Sequence, residues 1–372
     1  MEKVKSSARY LFFLVFSAFI LFSLGYHIYL AHYFTYGWKN HPILWLSIFV
    51  IGFTSTILAY FVAHSRFYKK LVFITWLGYI WLGFFFILAA FTIPFQIVSV
   101  IWLELDTLRT EWFFSLIALA TYSLYRGLEH PQLKNHQIKV ENENLKGLRL
   151  VQITDLHLGQ LQHDSRWFKK VIEDCNSQKP DFLFLTGDLV ETSFKQIQDE
   201  LNLLTQLEAK IDRIFVLGNH EMIHGGADWE NVLKGLHWTV LHNEHKIYSI
   251  KGSQLQVAGV PDRMINRFDS QYESNPEKSM QTLSKVDYRL LLAHEPSSVK
   301  DVKNIKPDII LSGHTHAGQI FPFNWLVHLV QPVVVGWKTI NGVLVFAHPG
   351  TGLWGPPMRL GSRNQIVVID FI

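Results

Sequence analysis

The sequence predicts an α/β layered domain over residues 137–372, preceded over residues 1–130 by an all-α membrane domain of about four helices. Three observations predict this. Aromatic residues make up 14% of the 372 positions, with 28 Phe, and most of that excess falls before residue 126. From about residue 137 the chain has the mixed charges and turn residues of a soluble domain. In that second part, short apolar runs alternate with helical periodicities and then give way to strand-rich sequence.

The membrane half rests on four apolar stretches: Tyr10 to about Ala31, Ile43 to about Ala63, Leu71 to about Leu103, and Trp112 to Tyr125. Crossing a bilayer core takes roughly 20 apolar residues in a helix. The first two stretches meet that length, the third exceeds it and the fourth is short. A signal peptide does not describe the first, because its apolar run is too long and three more come after it. The basic residues flanking the stretches alternate in number: Lys3, Lys5 and Arg9, then Lys39, then Arg66, Lys69 and Lys70, then Arg109, then Arg126, Lys134 and Lys139. Because Lys and Arg accumulate on the cytoplasmic side, both termini and the soluble domain are expected in the cytoplasm. The domain moves to the other side if the fourth stretch does not cross. Tyr36, Trp38, Trp102 and Trp112 stand where interfacial aromatics belong. His27 and His64 have no ionisable partner within the apolar runs and are expected to be neutral.

In the soluble half, residues 148–153 are strand-like and residues 164–178 helical, with Trp167, Phe168, Val171, Ile172 and Cys175 on one face. Phe182–Leu185 reads as a buried strand, residues 195–209 as helix and Ile214–Leu217 as strand. Later apolar runs lie at Gln256–Val260, Tyr288–Leu292, Asp308–Leu311, Val333–Val335, Val343–Phe346 and Gln365–Ile369, which suggests much antiparallel sheet toward the end. Cys175 is the single cysteine, so no internal disulfide or thiolate metal site exists, and it is expected to be a small buried residue. A net charge of +3 without a basic cluster beyond the membrane flanks gives no nucleic-acid reading.

The chemistry lies at the strand ends, where ligands bind in open α/β sheets. They carry Thr154-Asp155-Leu156-His157, Thr186-Gly187-Asp188, Gly218-Asn219-His220-Glu221, Ala293-His294-Glu295 and Gly313-His314-Thr315-His316. Each alone has a bland reading: Gly-Asp and Gly-Asn are turn residues, and a lone His294 is more often a satisfied core histidine. Together, two carboxylates, an amide and several imidazoles suit two adjacent divalent cations of the Mn, Fe, Zn or Ni type, with manganese the first choice. Two such ions about 3.5–4 Å apart can bridge a hydroxide and stabilise an in-line displacement at phosphorus.

This series resembles the calcineurin-like metallophosphoesterase superfamily, over residues 148 to about 372. The segments 313–319 and 350–361 resemble its bacterial membrane-associated subgroup, which includes proteins acting on lipid-linked nucleotide sugars. The resemblance implies a four-layer αββα sandwich. It implies that Asp155, His157 and His316 hold one metal, that Asp188 bridges, and that Asn219, His294 and His314 hold the other. His220 would not ligate but would face the substrate and protonate the leaving oxygen or stabilise the developing charge, and a neighbouring acid, Glu221 or Asp262, could orient it. It also implies a phosphodiester or lipid-linked pyrophosphate as substrate, and an integral protein of the bacterial inner membrane whose partners are the bilayer and a phosphorylated substrate. The alternative is a membrane sensor or scaffold whose domain binds metal without turnover. Arg263, Arg359 and Arg363 are candidates for phosphate contact. The segment Phe321–Trp337 is unusually apolar for a loop after the ligand pair in such proteins. It reads either as an amphipathic lip at the bilayer or as a loop covering the sheet.

Overall fold

The chain divides into two compact units, Met1–Tyr122 and Ser123–Ile372. The structure is a computed structural model that describes residues 20–34, 42–63, 65, 68–159, 161, 163–192, 194, 196–226, 228–264 and 273–372. The first unit holds helices α1 (residues 20–34), α2 (Pro42–Ala63), α3 (Tyr68–Ile101) and most of α4 (Arg109–Leu128). α2 and α3 meet through glycines: a Cβ on Gly52 would collide with the Trp81 ring, and one on Gly78 would lie 2.3 Å from Ser55 O. Small residues permit that close approach between apolar helices. Their outer faces are bare, with Ile43, Phe61, Phe73 and Val100 each more than 60% exposed.

Among the described residues, two helices are long and apolar enough to cross a membrane, Ile43–Ala63 and Lys70–Ile101. The expected four are not all recovered. Residues 10–19 of the first stretch, together with Tyr36, Trp38 and His64, lie outside the described residues. α4 carries Arg109, Glu111 and Arg126 within its 20 residues, which lowers its mean hydropathy. His27 is buried and both of its nitrogens are matched: Nδ1 lies 2.7 Å from Ser23 O, and Nε2 accepts the Trp81 indole N–H at 3.1 Å. One donor and one acceptor nitrogen make a neutral imidazole.

The second unit holds two six-stranded sheets. One contains β1 (Gln132–Ile138), β2 (Arg149–Ile153), β3 (Phe182–Leu185), β4 (Asp212–Phe215), β5 (Thr239–Val240) and β12 (Gln365–Phe371), in the order β1-β12-β2-β3-β4-β5. The other contains β6 (Glu244–Ile250), β7 (Ser253–Val260), β8 (Tyr288–Ala293), β9 (Ile309–Ser312), β10 (Gly336–Ile340) and β11 (Val343–Ala347), in the order β10-β11-β9-β8-β7-β6. Strand alternation gives each sheet two apolar faces. Leu150, Phe182 and Ile214 of the first sheet pack with Val257, Leu290 and Leu311 of the second, closing a core between the sheets. The short helix α7 (Asn219–Ile223) follows β4. Val151, Leu183 and Phe215 point the other way, onto the helices α5 (Ser165–Ser177), α6 (Gln198–Leu203) and α8 (Asp228–Gly235). On the far side, Ala258, Leu291 and Ile310 pack with Met280 of α9 (Pro276–Met280) and with Val299.

α5 forms where its apolar spacing predicts. Asp164 caps it by accepting the Arg166 and Trp167 backbone N–H groups, both at 3.0 Å, and Phe168, Val171, Ile172 and Cys175 are buried. Burial pushes the Cys175 thiol up. The second sheet is less antiparallel than expected. β7, β8, β9 and β11 form parallel ladders, and only the edge pairs β6–β7 and β10–β11 are antiparallel. Crossovers through α9 and the 3-10 turn Pro296–Asp301 return the chain to the same end each time. The run Val333–Val335 is not a strand; β10 begins after it, at Gly336.

Parallel pairing of β2, β3 and β4 brings their carboxyl ends to one edge, as it does for β7, β8 and β9. The two edges are tied together. Gln152 Nε2 donates to Ser312 O at 3.1 Å, and Asp262 N donates to Leu217 O at 2.9 Å.

Candidate metal centre

The turns leaving β2, β3 and β9 hold Asp155, His157, Asp188, His314 and His316 at φ between 45° and 68°. A non-glycine residue there costs about 1–3 kcal/mol, and such strain gathers at functional sites. Hydrogen bonds fix the turns: Asp155 N donates to Gly187 O at 3.0 Å and His157 N to Asp188 O at 3.1 Å. The neighbouring glycines leave room for these side chains. A Cβ on Gly218 would lie 2.2 Å from Asp188 Oδ1, one on Gly313 2.5 Å from Asp155 Oδ2, and one on Gly187 2.4 Å from His294 Nδ1.

Three groups of donor atoms result among the described residues: Asp155 with His157 and His316, Asp188 with His294 and His314, and His157 with Glu191 and His220. In the first, His157 Nε2 lies 3.1 Å from His316 Nε2, which lies 3.4 Å from Asp155 Oδ1. His157 Nδ1 faces Glu191 Oε2 at 2.8 Å, so the proton sits on Nδ1 and the Nε2 lone pair turns inward. In the second, His294 Nδ1–H donates to Thr186 O at 2.7 Å. Its Nε2 faces Asp188 Oδ2 at 3.1 Å and His314 Nδ1 at 3.3 Å. Asp188 Oδ1 accepts the His220 backbone N–H at 2.9 Å, which leaves Oδ2 for the centre. Asn219 joins through its chain neighbours Gly218 and His220, and its Oδ1 is buried without a hydrogen-bond partner.

Lone pairs facing one another at these distances repel unless positive charge lies between them. Protons or cations can supply it. Burial would raise the Asp188 carboxyl, but His294 and His220 outweigh it and hold it well below its ordinary range. The converse holds for His294, whose imidazole is held well above its usual value by Asp188 against the effect of burial. Burial pushes Asp155 up and pushes His314 and His316 down. Donor atoms bound to one ion at about 2.0–2.2 Å stand roughly 3–3.5 Å apart. The spacing and the nitrogen–oxygen donor set therefore fit divalent ions.

His220 is buried, with Nδ1 2.8 Å from Glu191 Oε2 and Nε2 3.9 Å from Asp188 Oδ2. Burial would lower its pKa, but Asp188 and Glu191 push it up to about 10. The acid that orients His220 is thus Glu191, not Glu221 or Asp262. Glu221 spends both oxygens on the backbone N–H groups of Gly218, Asp188 and Leu189, at 2.7, 3.1 and 2.7 Å. Asp262 accepts from Met264 N at 2.6 Å. Glu191 is not among the residues the sequence singles out, although an acid three residues after Asp188 on the same strand-end turn was its signal. The three candidate arginines are engaged elsewhere. Arg263 pairs with Asp301 at 2.6 Å, Arg363 donates to Gln132 Oε1 at 2.9 Å, and the wholly buried Arg359 donates to the carbonyls of His316 and Gly352 at 2.5 and 2.9 Å.

Residues 148–318 match the family model for calcineurin-like phosphoesterases. The chain is 32% identical over 263 residues to a Danio rerio transmembrane protein with metallophosphoesterase domain, covering 68% of this chain and 60% of that one. It is 28% identical over 267 residues to an uncharacterized metallophosphoesterase of Helicobacter pylori, covering 71% and 70%. With an uncharacterized metallophosphoesterase of Aquifex aeolicus it shares 29% identity over 264 residues, covering 69% of this chain and 97% of that one. It thus spans less than two thirds of the Danio rerio relative's length. Residues 148–318 thus form a calcineurin-like metallophosphoesterase domain.

Proposed function

We propose that the protein is a membrane-anchored, dinuclear metal-dependent phosphohydrolase acting on a phosphodiester or on the pyrophosphate of a lipid-linked nucleotide sugar. The observation that carries this reading is the pair of facing donor groups where the edges of the two sheets meet, with His220 beside them. Asp155, His157 and His316 would hold one ion and Asn219, His294 and His314 the other, with Asp188 available to both. Manganese is the proposed metal, with iron, zinc or nickel admitted by the same donors. Two divalent ions supply charge for the phosphate oxygens and a nucleophile at neutral pH. The remaining steps belong to the chain. His220 turns Nδ1 to Glu191, so Nε2 is the end that delivers a proton to the leaving oxygen. The Trp354 ring, 6.1 Å from that of His220, walls one side of the approach.

The proposed setting is the inner membrane of a bacterium, with the domain facing the cytoplasm and no nucleic-acid partner. Its support is the alternation of basic residues between stretches and the 20-residue length of α4, about 30 Å of helix. A thiol label at Lys134→Cys, on a Cys175→Ser background, tests sidedness: protection in intact cells is expected, and labelling there reverses the orientation. Turnover is tested with the full chain in detergent, Mn²⁺ and a chromogenic phosphodiester. Release that Asp188→Asn abolishes is expected. Metal binding without release from any phosphoester would favour the sensor or scaffold instead.

A further inference from the structure

The helix α10 (Phe323–Val330) is built inside out. Its large apolar side chains face away from the protein: Trp325 is 62% exposed, Leu326 56%, Leu329 80% and Val330 66%. The side turned to the domain carries Asn324, whose backbone presses on Gly318 so closely that a Cβ there would lie 2.3 Å from Asn324 Cα. A helix seated on a watery surface has the reverse arrangement. The helix does not cover the sheet as a packed loop would, since no residue of α10 is buried.

The helix is tied to the end of α4. Phe321 N donates to Leu360 O at 2.9 Å, and Arg359 N donates to Ser123 O at 2.8 Å. Between them, Gln319 Nε2 donates to Trp354 O at 2.8 Å, and Trp354 is itself 52% exposed. Tyr125, on the last turns of α4, is 63% exposed. Hydrogen bonds therefore link the segment carrying α10 both to the Trp354 loop and to α4, and each of the three carries exposed apolar side chains.

We infer that α10, with Trp354, docks on the lipid headgroup region of the membrane that holds the chain's own apolar helices. The occupant is a bilayer because the patch is a row of bulky apolar side chains with aromatic residues at its ends, the composition that seats a helix at the headgroup boundary. The segment that carries it is also hydrogen-bonded, through Leu360 and Arg359, to α4 at Ser123. Docked in this way, the mouth of the site opens at the lipid surface; the inference takes the membrane anchoring from the proposed function, and its activity arm takes the phosphohydrolase as well.

The test uses the full chain with Cys175→Ser and Leu329→Cys, labelled with an environment-sensitive fluorophore in phosphatidylcholine vesicles. A blue-shifted emission quenched by headgroup-proximal nitroxide lipid, and not by iodide, is expected. Quenching by iodide alone would show α10 in water; protection from both quenchers would show a protein partner or a second copy. Either overturns the inference. In the activity arm, Trp325→Glu with Leu329→Glu should lower turnover of a vesicle-borne lipid phosphodiester about tenfold and spare a water-soluble one. Equal loss on both counts against docking. A wild type inactive on both substrates defeats the proposed function while the quenching result stands.

Discussion

His157 and His220 share one carboxylate oxygen: Nδ1 of each lies 2.8 Å from Oε2 of Glu191. One residue thereby sets the tautomer of a metal-facing imidazole and of the proposed proton donor. The carboxylate sets its negative charge against both rings, whereas the amide of Gln would put a neutral oxygen or a donor group there. Glu191→Gln is therefore expected to cost about 10–100-fold in metal affinity and to lower turnover further through His220. Metal content by mass spectrometry and kcat measured at saturating Mn²⁺ separate the two effects. Unchanged values for both would remove Glu191 from the site.

The motif glycines are steric, and Gly218 shows this without the complication of a positive φ. A Cβ there would meet Asp188 Oδ1 at 2.2 Å and Asp188 N at 2.4 Å. Gly218→Ala should displace the Asp188 carboxylate, cost about 1–3 kcal/mol of stability by overpacking, and abolish stoichiometric metal binding. Gly235→Ala is the control, since nothing lies within 4 Å of its added methyl. Metal titration by calorimetry on both variants checks the contrast; full metal binding by Gly218→Ala would show that the turn relaxes.

Much of this was legible in the residues themselves. Phe182–Leu185 reads as a buried strand and is one, and the polar clusters at the ends of β2, β3, β4, β8 and β9 mark the edge where the donor groups meet. What stayed hidden has physical causes. β1 is polar and largely exposed, so Gln132–Ile138 lacks the alternation that marks a half-buried strand. Short apolar runs such as Ile309–Ser312 look alike in parallel and antiparallel ladders, so the parallel centre of the second sheet could not be read. Glu191 acts through histidines from two other strand ends, a relationship without local pattern. The six apolar residues of α10 read alike whether they cover a sheet or face outward, and only their exposure decides.

Away from the site, Asp212 collects Tyr248 Oη at 2.6 Å, Lys246 Nζ at 2.8 Å and Thr239 Oγ1 at 2.9 Å. Burial would raise its carboxyl, but these hydrogen bonds and the Lys246 charge hold it below its ordinary value. A depressed folded value contributes stability that is present above the unfolded pKa and lost as pH falls through the folded one. The wild type should therefore lose thermal stability below about pH 4 more steeply than Asp212→Asn. At neutral pH the variant should melt roughly 2–4 °C lower. Melting curves from pH 3 to pH 7 check both; parallel pH profiles would mean that Asp212 titrates normally.

Arg359 has no exposed surface, and its side chain reaches only uncharged acceptors: His316 O at 2.5 Å, Asn364 Oδ1 and Gly352 O at 2.9 Å, and Ser362 Oγ at 3.2 Å. Burial pushes its guanidinium down to about 9, while the Asp155 charge pulls the other way. Asn364, its partner, donates in turn to Gly127 O at 3.0 Å, so the same network grips the last turn of α4. Removing the guanidinium leaves buried acceptors unpaired. Arg359→Met should cost about 3–5 kcal/mol and loosen the His316 turn, lowering metal occupancy with it. Arg359→Lys keeps a charge but not the planar fork that spans carbonyls on two turns, and should recover only part of the loss. Thermal melts with and without Mn²⁺ decide the case. A metal-dependent gain in midpoint equal to that of the wild type in both variants would confine Arg359 to holding the fold, apart from the metal centre.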